Sequence, residues 1–138
     1  MLFKKSVKDS MYYIHDINDK IAQGTISTPL YMHDNMHCID LLLTDSAYDN
    51  VMKWVCDIES FFNNKYILKQ NMRIHIPYRY TKIDIPIETK NNKRLLMDDL
   101  TKGTMVNVKL RPVSAWIDSH ELQILFNASK IVANIEYV

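Results

Sequence analysis

Glycine is nearly missing from this chain: Gly24 and Gly103 are the only two in 138 residues. Neither GxGxxG nor GxxxxGK[ST] can be written with them, which excludes the phosphate-cradling loops of dinucleotide and nucleoside-triphosphate enzymes. Cysteine is as scarce. Cys38 and Cys56 form no CxxC pair and no disulfide framework, so two buried thiols in a reducing, intracellular setting are expected. No window approaches the ~20 apolar residues that span a bilayer, and none points to a membrane partner. The first ten residues, MLFKKSVKDS, lack the apolar core of a signal peptide, and a soluble protein is expected. Charge of one sign is missing too. With 17 Lys and Arg against 16 Asp and Glu, the net charge of +1 supplies no global attraction to polyanions, so any such attraction must come from local clustering.

What is present is strand chemistry. Hydrophobic residues make up 47% of the chain, enough for one core and one domain over residues 1–138. The clearest stretch runs from Leu100 to Asn134. Lys102-Gly103 marks a tight turn, after which Val106, Val108 and Leu110 alternate with Asn107, Lys109 and Arg111, giving one dry and one basic face. Pro112 cannot donate a ladder hydrogen bond, so the strand should stop or bulge before Ala115-Trp116-Ile117 resumes it. A turn at Asp118-Ser119-His120 leads to Leu122, Ile124 and Phe126 and a last apolar run from Ile131 to Ile135.

Upstream, residues Met11 to Ile21 fit either a strand or a short helix, and Gln23-Gly24 reads as a turn. Thr25 to Met32, interrupted by Pro29, and His37 to Thr44 form a hairpin around His33-Asp34-Asn35. The period then changes to about 3.6. Ser46 and Asp49 resemble a capping box, and Val51, Trp54, Val55, Ile58, Phe61 and Phe62 share one face of a helix from about Ala47 to Phe62, ended by Asn63-Asn64. From Lys65 to Arg94, eight cations face only Asp84 and Glu88, about +6, and Tyr66, Tyr78 and Tyr80 are interleaved with them. This segment reads as extended strand and loop, with a polar hairpin or loop at Lys90 to Arg94.

Single-stranded nucleic acid is held by cations along its phosphates and aromatic faces under its bases. Tyr78-Arg79-Tyr80 with Lys82 offers both, and Lys109 and Arg111 add cations; the same residues also fit a solvated sheet face with ordinary core tyrosines. Trp116 fits a stacking platform or a core position, whereas Trp54 belongs to the core. His33, His37 and Cys38 match no zinc spacing, so no metal is expected. Cys56 with a histidine, or Asp98 with Asp99, can be written as dyads, but nothing orients them and no catalytic residue is assigned.

The motifs Ile26-Ser27-Thr28-Pro29, the helix with Trp54, Ile58 and Glu59, and KGTMVNVKLRPVSAW followed by LQILFNASKIV give the chain a resemblance. It resembles the OB-fold single-stranded-DNA-binding proteins of large double-stranded DNA viruses, of the poxvirus type, from Thr25 to Val132. The turns at His33 and before Leu122 lack the glycine such proteins tend to carry. The resemblance implies a mainly β fold with one helix, a small antiparallel OB-fold-like barrel. It also implies non-sequence-specific binding of single-stranded DNA, with RNA left open, in viral replication, recombination or repair at an intracellular site, without cofactor or turnover. Arg73, Arg79, Lys82, Lys109 and Arg111 are then expected on phosphates, and Tyr78, Tyr80 and Trp116 under bases. Self-association is expected through the C-terminal strand ending at Val138. The alternative is a viral protein-protein interaction domain that binds no nucleic acid.

Overall fold

The computed structural model describes residues 1–7 and 10–135. The elements are β1 (Leu2–Lys5), β2 (Tyr12–His15), β3 (Lys20–His33), β4 (Met36–Leu43), α1 (Asp45–Phe62), β5 (Asn71–His75), β6 (Tyr78–Arg79), β7 (Lys82–Ile83), β8 (Ile87–Thr89), a 3-10 turn at Met97–Asp99, β9 (Met105–Asp118) and β10 (Glu121–Ala133). Five of the strands close a ring in the order β3–β4–β5–β10–β9 and back to β3. Every junction in the ring is antiparallel except the last one closed. There β5 and β10 run parallel and share a single pair, His75 with Asn127.

Inward-facing residues fill the ring at every second position, as the pleat requires. Ile26, Ile39, Leu41, Ile74, Val108, Leu110 and Ile131 are fully buried, and Ala47, Val51, Trp54 and Val55 of α1 join the same cluster. Each of the larger aliphatic side chains contributes ~1.5 to 3 kcal/mol on burial, so the helix is held mainly by its apolar face. Phe61, expected on that face, is instead 46% exposed and stacks at 3.9 Å on Phe3. The helix cap is Thr44, whose Oγ1 accepts from the Ala47 amide at 3.2 Å, rather than the Ser46–Asp49 box. Asn63, in the left-handed region at φ 50°, ends the helix where expected.

Several other expectations are corrected. Gly24 is not in a turn: it sits inside β3, paired with Leu43 on one side and Val106 on the other. A Cβ there would lie 2.6 Å from both Leu41 Cγ and the Leu42 carbonyl oxygen, so the glycine serves close approach rather than reversal. Residues before it form a β1–β2 hairpin, with Tyr12 and Tyr13 pairing Ala115 and Ser114 where β9 has left β3. Pro112 does cause a bulge, since Phe126 pairs Pro112 while Leu125 pairs Ser114, but β9 runs through it unbroken. The last two apolar runs are one strand, β10. Ala133 at its end pairs Val106 on one side and Thr89 on the other, so this strand offers no open edge there. Residues 136–138, on which the expected self-association also rests, lie outside the described residues.

With few glycines available, the chain makes tight reversals from other residues. Asp34-Asn35, Tyr80-Thr81 and Ser119-His120 all have positive φ, between 49° and 68°. Each sits in a two-residue hairpin loop, the arrangement of a type I′ turn. Without glycine, the turns before Met36 and Leu122 are still two-residue loops, and the barrel strands they join pair up to them.

Candidate functional site

Because β5 and β10 meet at one pair only, the two strands splay apart on one side of it and leave an open cleft of about 640 Å³. One wall is β5 with the preceding segment from Lys65 to Lys69; the other is β10 from Glu121 to Phe126 with Trp116 of β9. The turn at His33-Asp34 and residues Met36 and Asp40 of β4 complete the lining.

The cleft contains a fixed guanidinium. Asp40 and Arg73 are paired across β4 and β5, and Tyr31 of β3 reaches both. The Tyr31 hydroxyl donates to Asp40 Oδ1, and Arg73 Nε donates to the Tyr31 oxygen at 3.0 Å. Burial works against the charge on Arg73, but the Tyr31 hydrogen bond and the nearby Asp40 outweigh it and hold the pKa above its ordinary value. Burial, reinforced by the bond to Asp40, raises the pKa of Tyr31 and keeps it a neutral donor. Only one nitrogen of the fork is engaged by Tyr31. The remaining donors of Arg73 are available to a ligand.

Aromatic and apolar surfaces flank that guanidinium. Tyr66 lines the cleft with its amide donating to Glu59 Oε2 at 2.7 Å, and burial raises its phenol pKa while Arg73 lowers it. Trp116 is half-buried on the far wall, and Ile67 on the near wall is 82% exposed. Formal charge in the lining balances, with Lys65, Lys69 and Arg73 against Asp34, Asp40 and Glu121. Lys65 and Lys69 are both exposed, so with Arg73 they make the near wall the positive one.

Of the residues expected from sequence, the cleft brings together Arg73 and Trp116. Tyr78, Arg79, Tyr80 and Lys82 form a separate two-stranded hairpin, β6–β7, so the stretch is not a regular strand. Tyr78 and Tyr80 share no strand face, because Tyr80 sits in the turn at φ 52°. Tyr78 spends one ring face on His37, at 3.7 Å and 12°, while Tyr80 is 83% exposed with the Arg79 guanidinium 5.3 Å from its ring. Lys109 and Arg111 lie on the outer face of β9, beyond the ring's closing pair. Arg111 pairs Asn127, which pairs His75, and its Nε lies 3.6 Å from Asp19 Oδ1; Lys109 is beside Lys130 and Ile21. Sequence reasoning missed Tyr31, Lys65, Tyr66 and Lys69. The signal for the last three was the Lys-Tyr-x-x-Lys spacing immediately after the helix.

Among the described residues no group of three or more His, Cys, Asp or Glu side chains is placed to hold a metal, and no helix is long and apolar enough to cross a membrane. No protein-family model and no curated protein sequence matches the chain. Solved structures do. The single-stranded DNA-binding protein from bacteriophage Enc34, in a C-terminally truncated form, superposes with a TM-score of 0.52 at 10% identity, over 99% of this chain and 96% of that one. The barrel is OB-fold-like. The same phage protein in complex with ssDNA gives a TM-score of 0.45 at 11% identity, over 95% of this chain and 89% of that one. In OB-folds the second and third barrel strands form the face that takes oligonucleotides, and here those strands are β4 and β5, beside the cleft.

Proposed function

We propose that this chain binds single-stranded DNA without sequence preference, as one nucleic-acid-binding unit, and that it supports viral DNA replication, recombination or repair at an intracellular site. Kinship with the poxvirus-type proteins belongs to the same proposal. The observation that carries it is the cleft beside β4 and β5, where Arg73, Lys65, Lys69 and Tyr66 line one wall and Trp116 the other. Cations serve the phosphates and ring faces serve the bases, and neither reads sequence. An OB-fold-like barrel shared with a phage protein named for binding single-stranded DNA supports the reading. The role is binding, with no turnover and no cofactor.

The balanced charge of the lining favours one other reading, a docking site for a protein segment. The two separate in a fluorescence-anisotropy titration of a mixed-sequence single strand and of a duplex at rising salt. A single-strand binder prefers the first and loses affinity with salt, with a slope of about 0.7 per neutralised phosphate. A protein-docking cleft binds neither.

A further inference from the structure

Among the described residues the N-terminal hairpin contributes nothing to the cleft lining, yet its register continues one wall of it. Where β3 leaves β9, β2 takes its place: Tyr13 pairs Ser114, and Ser114 pairs Leu125 of the cleft wall. Directly paired residues share a face, as do residues two apart on one strand. Tyr13, Ser114 and Leu125 therefore lie on one surface with Trp116 and Gln123. The opposite face fixes this parity independently, because Ile14, Ala115 and Leu122 are buried together with Ile58 of the helix, and Tyr12 meets Phe61 and Phe62. One strand further out, Lys4 pairs Tyr13. At a strand spacing of ~4.8 Å, Tyr13 is about 10 Å and Lys4 about 15 Å from Leu125.

Tyr13 is 46% exposed and Lys4 is exposed. Among the described residues no ring packs on Tyr13 and no carboxylate pairs with Lys4. An aromatic face and a cation thus stand side by side on the surface that leaves the cleft past Trp116. We infer that the β1–β2 hairpin is a second station for single-stranded DNA, with Tyr13 stacking on a base and Lys4 on a phosphate of the nucleotides beyond the cleft. This rests on reading the cleft as the DNA site. The bland role for Tyr13 is to cover Ser114, which is buried.

Oligothymidylates of about 6 and about 20 nucleotides, spanning the site sizes of such barrels, distinguish these roles by anisotropy on wild type, Lys4→Ala/Tyr13→Ala and Arg73→Ala/Trp116→Ala. The hairpin variant should bind the short strand like wild type, bind the long one about ten-fold more weakly, and lower the long strand's salt slope by about 0.7. Tyr13→Phe should retain the wild-type affinity. The cleft variant should weaken both lengths. If the hairpin variant binds the long strand as wild type does while the cleft variant is impaired, the second station is wrong and the cleft reading stands. If the hairpin variant loses equally on both lengths, Tyr13 is structural and the inference fails. A cleft variant unimpaired at both lengths removes the cleft reading and this inference with it. The single exposed change Lys4→Glu, which disturbs no packing, should weaken the long strand alone, and its failure to do so would count against the station even if Tyr13→Ala unfolds.

Discussion

The cleft and the β6–β7 hairpin both combine tyrosine with arginine, but they hold them differently. In the hairpin the residues are neighbours in sequence, Tyr80 projects from a turn, and the Arg79 guanidinium lies over the Tyr80 ring. In the cleft Arg73 donates to Tyr31, which is itself anchored on Asp40 of a third strand, and Tyr66 and Trp116 come from opposite walls. A guanidinium already hydrogen-bonded to its own protein loses less rotamer freedom on binding than one that must be ordered by the ligand. Compactness in sequence is therefore a poor guide to preorganisation.

The sharpest way to break the comparison is to loosen the barrel that positions the cleft. Gly24→Ala forces a Cβ against the Leu42 carbonyl, and overpacking of this kind costs about 1 to 3 kcal/mol. Urea unfolding should show that loss, and single-strand binding should weaken with it because β4 must shift beside Asp40. Next in size, Arg73→Ala/Trp116→Ala should weaken single-strand binding about 10- to 100-fold, and Tyr78→Ala/Tyr80→Ala only a few-fold, by anisotropy at one salt concentration. Equal losses would mean that the exposed hairpin is as good a site as the preorganised one. Smaller again is the salt response. Lys65→Ala/Lys69→Ala should flatten the slope by about 1.4, whereas Lys109→Ala/Arg111→Ala should flatten it less, since Arg111 already faces Asp19.

The smallest effect is on pH. Tyr31 and Tyr66 both titrate above the ordinary 10.0 in the folded chain, chiefly through burial. Their contribution to stability is whole below pH 10 and is lost as pH rises through the raised values, because the unfolded chain releases those protons first. Urea midpoints between about pH 9 and 11 should fall accordingly, and Tyr31→Phe should reduce the decline.

What the sequence made legible follows the range of the signal. KGTMVNVKLRPVSAW declares its strand, its faces and its bulge because alternation, a turn glycine and a proline all act within a few residues. The helix face was legible for the same reason, down to Trp54. The cap was off by two residues because Thr44 and Ser46 offer the same hydroxyl to the same turn. The strands LFKK and YYIH, four residues each, are too short for a period to stand out, and pairing rather than propensity makes them strands. Gly24 looked like punctuation when its role is to let β3 and β4 close up. The cleft was least legible. Its walls come from residues 33–40, 65–73, Trp116 and 121–126, and it opens only because the ring closes at His75 and Asn127 and nowhere else along β5. Nothing local encodes that.

Tryptophan fluorescence tests the cleft most directly, since Trp54 is 4% exposed in the core and Trp116 lines the cleft. A Trp54→Phe variant leaves Trp116 as the lone reporter, and a Trp116→Phe variant leaves Trp54. Titration with single-stranded DNA should quench the first variant to saturation and leave the second unchanged. Quenching that persists in Trp116→Phe, or none in a Trp54→Phe protein that still binds by anisotropy, would place the DNA somewhere other than the cleft.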